Sequence, residues 1–140
     1  MSSLHVEAYV SSRLGIPLGY HTEIIYQDNN GNEWQYSAGP TWNPVFSSMD
    51  TYWGDVNRDT PTRGAAALSI EDGRNIDDIA TLLTSFYKAI YNSNQVYYIL
   101  GYQTCNTVFA NALTFLGINY NLCLPQDVPG DQGLGYVGIV

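Results

Sequence analysis

The first apolar pattern in the chain has a period of two. Leu4 to Val10 alternates apolar and polar residues, which is typical of a strand that buries one face. Asn30-Gly31 follows within a cluster of Asp and Asn residues and favours a tight hairpin turn, because both residues tolerate positive φ. The flanking runs, Thr22 to Tyr26 and Glu33 to Ser37, therefore predict the two strands of a hairpin.

Later segments do not show this two-residue alternation of apolar and polar residues. Val96 to Leu100 is an unbroken β-branched and aromatic run that indicates a buried strand, and Ala65 to Ile70 is a further strand candidate. Arg13 to Gly19 and Pro40 to Gly64 are rich in turn-forming residues without a clear period, so we expect loops there. The chain after Leu124 predicts an irregular tail that ends in a short edge strand.

Two segments show the three- and four-residue spacing of helices. Asn75 is the predicted N-cap of the first, and two aspartates follow it in the first turn, where they complement the helix dipole. Thr104 is the predicted N-cap of a second helix that starts at Cys105, and Gly117 ends it. The apolar faces comprise Ile76, Ile79, Leu83, Phe86 and Ile90 in the first helix, and Cys105, Val108, Phe109, Ala112, Leu113 and Leu116 in the second.

These elements predict one α+β domain over residues 1–140, with a small antiparallel sheet packed against the helix that starts at Cys105. A net charge of −8 with five basic residues argues against nucleic acid and against an anionic membrane surface as partners. No segment approaches the roughly twenty apolar residues of a membrane span. The amino terminus lacks the basic and apolar regions of a signal peptide, so we expect a protein made in the cytoplasm.

The chain is rich in aromatic residues and poor in charge. Twelve tyrosines and three tryptophans occur beside only 13% charged residues. Such a surface suits a groove that holds glycans or peptides, because the rings offer flat apolar contact and the hydroxyls offer hydrogen bonds. Packing of these rings at the edges of a small core explains the composition equally well, and the sequence leaves both interpretations open.

Cys105 is the residue with the most specific candidate chemistry. In the first turn of a helix, unpaired N–H groups and the positive end of the dipole favour a thiolate, the species that nucleophilic catalysis needs. His21 lies near the open end of the hairpin, at the start of its first strand, where it is a candidate base. The competing interpretations are a small buried hydrophobe at Cys105 and an ordinary strand imidazole at His21.

A histidine that opens a hairpin, followed by a cysteine that starts a helix, resembles the circularly permuted papain-like NlpC/P60 hydrolases. In that branch, as in the lecithin–retinol acyltransferase-like and PPPDE-type groups, the histidine precedes the cysteine. The matching pieces are His21-Thr22-Glu23-Ile24-Ile25-Tyr26, Ser37-Ala38-Gly39-Pro40, and Tyr102 to Leu113. The chain is also similar to small toxin domains that secretion machines deliver between bacteria.

The resemblance implies a catalytic site. Cys105 attacks an amide or ester carbonyl, His21 transfers the proton, and the backbone N–H of Cys105 helps to bind the oxyanion. The family has a third polar residue that orients the histidine, for which we favour Ser37. Gln35, Glu33 or a backbone carbonyl are the alternatives. Asn106 is either a further oxyanion donor or a residue that bonds the local backbone.

The implied function is that of a cysteine peptidase or amidase that cleaves peptidoglycan peptides as an antibacterial effector. A secretion machine would deliver it to the periplasm of the target cell, and an immunity protein would neutralise it. The first alternative is a cysteine-dependent deamidase, transglutaminase or acyltransferase that acts on a protein or lipid. The second is a non-catalytic, tyrosine-rich binding module.

No cofactor or metal site is expected. The cysteines and histidines lack ligand spacing, and His5 is predicted to face solvent because it alternates with Leu4 and Val6. Asp50, Asp55 and Asp59 do not follow the spacing of a calcium loop. A disulfide between Cys105 and Cys123 is the remaining rival explanation for the candidate nucleophile.

Overall fold

A computed structural model gives the architecture. It describes residues 2–13, 16–43, 45–56, 64–67, 73–93, 96–99 and 105–118, and the side chains of 8–13, 16–21 and 64–67 are outside that description. The predicted N-cap at Thr104, Cys123, Asp59 and the predicted tail and edge strand lie outside the described residues.

The described chain is α+β, with an antiparallel sheet and two helices. The strands are β1 (Ser3–Arg13), β2 (Ile16–Gln27), β3 (Glu33–Pro40), β4 (Phe46–Asp55), β5 (Gly64–Ala67) and β6 (Tyr97–Ile99). Their order in the sheet is β5-β1-β2-β3-β4-β6, and every described pair is antiparallel. The helices are α1 (Ile76–Ser93) and α2 (Cys105–Phe115).

The predicted hairpin is confirmed as β2 and β3. Its register pairs Ile24 with Tyr36 and Gln27 with Glu33. Gly31 has a φ of +86°, which glycine adopts at little cost. Asp28 fixes the turn, since its Oδ1 accepts hydrogen bonds from the backbone N–H groups of Asn30 and Asn32 at 2.9 Å each.

The predicted loop from Arg13 to Gly19 was wrong at most of its positions, and the predicted loop from Pro40 to Gly64 was wrong where β4 lies within it. Arg13 to Gly19 belongs largely to β1 and β2, whose pairing continues through a register shift between Ser11 and Ser12. Pro40 to Gly64 contains β4, which pairs with β3 from Trp34↔Asp55 to Pro40↔Met49. Arg13 pairs with Ile16 of the next strand, and β4 pairs with β3 before it and with the more distant β6, so a composition rich in turn-forming residues did not reveal these strands.

Both helices start where local chemistry predicted, and α2 also ends at its predicted stop. Asn75 Oδ1 accepts hydrogen bonds from the N–H groups of Asp77 and Asp78 at 2.8 and 3.2 Å, which confirms the N-cap of α1. Gly117 has a φ of +77° and follows the end of α2, as a helix stop requires. No described helix combines the length and the apolar character that crossing a bilayer requires.

The hydrophobic core lies between one face of the sheet and the two helices. Even-numbered positions of β3, and of β2 from Thr22 onward, face the helices: Ile24 is fully buried, and the hydroxyl of Tyr36 donates to the carbonyl of Ala80 in α1 at 3.0 Å. α2 contacts β2 and β3, whereas α1 contacts mainly β4. The core thus joins both helices to the middle of the sheet, with the buried cluster Leu4, Val6, Ile24, Tyr36, Ala38, Ile79, Leu83, Tyr87, Val108, Phe109 and Leu113.

Candidate functional site

Cys105 lies at the first residue of α2, as predicted, and its side chain is buried. It carries a free thiol, and its Sγ lies 3.7 Å from Oδ1 of Asn106. The N–H groups of the first helical turn have no partner inside the helix, so the thiol stands at the positive end of the α2 dipole. The local position therefore suits a nucleophilic cysteine, while the burial also fits the competing interpretation of a packed side chain.

Asn106 connects the start of α2 to β2. Its Oδ1 accepts a hydrogen bond from the hydroxyl of Thr22 at 2.7 Å and one from the backbone N–H of Thr22 at 3.2 Å. All three groups are buried, where an unmade hydrogen bond is expensive. Of the two interpretations left open for Asn106, neither describes this bond: the side chain reaches a strand more than eighty positions away in sequence rather than the local backbone.

His21 lies in the middle of β2, because pairing with β1 extends that strand back to Ile16, so the prediction that it starts the strand was wrong. Its backbone adjoins Thr22, the strand residue that bonds Asn106. Thr22 and Ile24 face α2, whereas Glu23 and Ile25 are buried on the other face of the sheet. The side chain of His21 lies outside the described residues. The structure thus brings the two chain segments together, and the pairing of the imidazole with the thiol stays a prediction.

Ser37 lies on β3 beside Tyr52 of β4 in the strand register. Its neighbours Tyr36 and Ala38 pack into the helical core, so Ser37 faces the opposite side of the sheet from Cys105. The alternatives Gln35 and Glu33 share that side by alternation along the strand. A role for Ser37 in orienting His21 stays a prediction.

The face of the sheet turned away from the helices contains buried polar groups that the sequence analysis missed. Glu7 and Glu23 are direct register partners on β1 and β2, and both are buried. His5 is half-buried, and its Nε2 lies 3.0 Å from Oε1 of Glu7, so the prediction that it faces solvent was wrong. The alternation with Leu4 and Val6 correctly placed His5 on the face of the sheet opposite those two residues, but it did not show that the side chain would be partly covered there.

Tyr87 is a second residue that the periodicity analysis omitted. It lies fully buried on α1, next to the apolar positions that were identified. Burial raises the pKa of its phenol far above the ordinary value, and electrostatic interactions with Glu23, Cys105 and Tyr36 raise it further. Tyr87 therefore stays protonated over the neutral range and cannot act as a base.

A cavity, which we call the aromatic cleft, opens between the N-terminal half of α1 and the hairpin end of the sheet. Its volume is about 420 Å³. Tyr26, Trp34, Tyr36 and Trp53 line it from three neighbouring strands, and Asp28 and Asp77 add two carboxylates. Only the aromatic composition of the chain signalled such a groove; the sequence did not indicate which rings would meet.

Hydrogen bonds keep both carboxylates of the cleft ionised. Ser2, the larger cause, and then Tyr26 donate to Asp77 and lower the pKa of its carboxyl. Partial desolvation acts to raise the pKa of Asp28, but hydrogen bonds from Asn32, Asn30 and Trp34 outweigh it and hold the pKa below the ordinary value. The cleft is therefore negatively charged over the whole neutral range.

No group of three or more potential metal ligands occurs among the described residues. The carboxylates of Asp50 and Asp55 lie on β4 and form no such group within the part of the chain that the structure describes.

Comparison with protein-family models, with curated proteins and with solved structures finds no match for this chain.

Proposed function

We propose that the protein is a cysteine hydrolase of the permuted papain-like type, with Cys105 as nucleophile and His21 as general base. The observation that carries the proposal is the bond between Asn106 and Thr22, at 2.7 Å. It holds the first turn of α2 against β2 one residue from the candidate histidine. A buried polar contact of this kind fixes the two segments relative to each other, which a catalytic pair requires.

The chemistry divides hydrolysis into two steps. The Sγ of Cys105 attacks the carbonyl carbon of an amide, a C–S bond forms, and His21 takes the thiol proton. His21 returns that proton to the nitrogen as the C–N bond breaks, which leaves a thioester. Water then attacks the thioester carbonyl and gives a proton to His21. The C–S bond breaks, the carboxylic acid leaves, and His21 returns the proton to the sulfur, which restores the thiol.

The start of α2 would stabilise the charges that develop. The backbone N–H of Cys105 is the candidate oxyanion donor, as the unpaired N–H groups of a first helical turn point outward from its end. Asn106 is a positioning residue in this proposal, because its Oδ1 already accepts the hydrogen bonds of Thr22.

The dyad requires the imidazole of His21 to reach the helical face of the sheet, the face on which Thr22 lies. Alkylation of Cys105 by iodoacetamide tests this directly in a Cys123→Ala background, which leaves a single thiol. We expect alkylation of the folded protein near neutral pH, and a rate about tenfold or more lower in His21→Ala, since a base that takes the proton contributes at least that much. His5→Ala is the matched control, because it removes the other histidine of the chain and should leave the rate unchanged.

A thiol that reacts only after unfolding would contradict the dyad and support a packed cysteine. Equal rates in His21→Ala and His5→Ala would exclude His21 as the base. In a separate assay on purified peptidoglycan, the hydrolase releases a new amine, and Cys105→Ala abolishes the release. Transfer of the acyl group to an added amine would instead favour the deamidase, transglutaminase or acyltransferase alternative.

We propose peptidoglycan peptide as the substrate and antibacterial delivery by a secretion machine as the setting, with an immunity protein as partner. Expression of the chain in bacteria tests this, once directed to the periplasm and once retained in the cytoplasm. Lysis from the periplasm alone, lost in Cys105→Ala and His21→Ala, is the expected result. Toxicity from the cytoplasm would redirect the target to an intracellular protein or lipid.

A further inference from the structure

The aromatic cleft lies apart from the candidate thiol site. Thr22, which contacts the start of α2, and Tyr26, which lines the cleft, are separated along β2 by a distance of about 13 Å at the usual strand rise. The buried side chain of Ile24 stands between them on the same face. A ligand in the cleft would therefore not contact Cys105, and the cleft needs an occupant of its own.

We propose that the aromatic cleft binds an alkylammonium group, such as the end of a lysine side chain. Three observations carry the inference: the rings, the carboxylates and the absence of a competing charge among the described lining residues. The inference stands whether or not the thiol is catalytic.

The rings supply the first part of the argument. Four aromatic side chains converge on a cavity of about 420 Å³, a volume within the range of small-molecule sites. Trp34 is 40% exposed, although a tryptophan on a sheet face gains free energy from burial. A cation over an indole or phenol face is attracted by the ring quadrupole, and the attraction grows when water is displaced.

The carboxylates decide the sign of the ligand. Among the described residues, the hydroxyls of Ser2 and Tyr26 both donate to Oδ1 of Asp77, one of the two oxygens of that carboxylate. An ionised carboxylate has acceptor positions on both oxygens, so Asp77 retains capacity for a donor in the cleft. An ammonium group with three N–H donors satisfies that capacity and neutralises the charge.

The remaining described lining residues add no positive charge. They are Gly54, Ala80, Thr81 and Thr84, beside the four rings and the two aspartates. The chain as a whole carries a net charge of −8. An anionic ligand would meet repulsion from both carboxylates of the cleft, whereas a cation is attracted by them locally and by the net charge of the chain at long range. The N-terminal ammonium also acts on Asp77, but more weakly than the hydrogen bonds from Ser2 and Tyr26 do.

Fluorescence titration of the Cys105→Ala protein tests the proposal without interference from catalysis, because Trp34 and Trp53 line the cleft. The probe is Nα-acetyl-lysine N-methylamide, and the matched neutral compound is Nα-acetyl-norleucine N-methylamide. We expect saturable binding of the lysine compound and at least about fivefold weaker binding of the norleucine compound, as a desolvated cation–π contact would give. Cadaverine as a third probe distinguishes a free amine from a peptide side chain, since tighter binding by the lysine compound assigns the latter.

Substitutions locate the site. Asp77→Asn and Trp34→Leu should each weaken binding of the lysine compound about fivefold or more. Asp50→Asn and Trp42→Leu are the matched controls, because they make the same changes at exposed positions outside the cleft and should leave affinity unchanged. Thr81→Lys places a tethered ammonium at the cleft, so it should abolish binding while the melting temperature stays near that of the parent.

Several results would overturn the proposal. One is equal binding of the lysine and norleucine compounds, which would show an apolar site. Another is tighter binding of the neutral sugar N-acetylglucosamine than of the lysine compound, which would make the cleft a glycan site. Loss of affinity in the control variants as large as in Asp77→Asn would place the binding elsewhere. Circular dichroism of each variant separates loss of the site from loss of the fold.

Discussion

The two helices differ in how much of their surface the protein buries. α1 buries five of its eighteen residues along one stripe, whereas α2 buries nine of eleven, from Cys105 to Leu113 without interruption. A helix with one apolar stripe lies on the surface, and a helix buried all round lies inside the core. The helix that starts with the candidate nucleophile is therefore internal, and the helix that bears Asp77 is external.

This difference assigns different kinds of chemistry to the two helices. Water is largely excluded around the start of α2, where a charge on sulfur interacts strongly with fixed dipoles. The start of α1 remains open to solvent and presents a carboxylate to an accessible cleft. Covalent chemistry benefits from the first environment, and reversible recognition of a cation benefits from the second.

The largest expected effect tests the internal position of α2. Phe109→Ala removes a fully buried ring from the helix and should lower the free energy of unfolding by about 3–5 kcal/mol. Phe115→Ala is the matched control in the same helix: its ring is 57% exposed, so the loss should be about 1 kcal/mol or less. Urea unfolding measures both, and equal losses would contradict the contrast between the helices.

The next effect tests the bond that holds α2 against β2. Asn106→Ala leaves the buried N–H and hydroxyl of Thr22 without their acceptor and should cost about 1–3 kcal/mol. Asn111→Ala is the control on the same helix, where the amide donates locally to the carbonyl of Thr107 at 2.8 Å. Should Asn111→Ala cost as much as Asn106→Ala, the contact with Thr22 would lose its special role.

A smaller effect belongs to the external helix. Asn75→Ala removes the N-cap of α1 and should cost about 1 kcal/mol in the free energy of unfolding. Asn92→Ala, at an exposed position near the other end of α1, makes the same chemical change without a cap and should be nearly neutral. Urea unfolding of the two variants side by side distinguishes a cap effect from general helix propensity.

The smallest effect depends on pH. The folded protein holds the pKa of the Asp77 carboxyl below its ordinary value of 3.8, chiefly through the hydrogen bond from Ser2 and then through that from Tyr26. The resulting stabilisation is present in full above that value and is lost as the pH falls through the lower, folded pKa. The difference in melting temperature between the wild type and Asp77→Asn should therefore be constant near neutral pH and shrink in acid.

The Ser2→Ala variant sharpens this test. Removal of the larger of the two donors should move the loss of stabilisation to a higher pH, closer to 3.8. A difference between wild type and Asp77→Asn that does not change with pH would exclude the hydrogen-bonded carboxylate as its source.

Local signals predicted much of the fold. The turn at Asn30-Gly31, the cap at Asn75 and the stop at Gly117 each depend on a few neighbouring residues, and each lies where the sequence placed it. Such interactions require only the φ angles and side-chain acceptors of adjacent positions, so they are readable without tertiary structure.

β4 shows why other parts were not predictable. Its buried positions include Ser47 and Thr51, whereas Phe46 and Tyr52 are exposed, which reverses the usual relation between polarity and burial. Burial of Thr51 costs little free energy because its hydroxyl donates to the carbonyl of Tyr87 at 2.7 Å. That partner is distant in sequence, so the alternation of β4 carried no readable apolar signal.

The candidate site divides in the same way. The sequence by itself determined that Cys105 begins a helix and that His21 lies on the first strand of a hairpin, because helix and strand periods are local properties. Only the tertiary structure decided that Asn106 bonds Thr22, that Ser37 faces away from the thiol, and that four rings meet two carboxylates. These are contacts between segments far apart in the chain, and their geometry follows from how helices pack on a sheet, which no local pattern records.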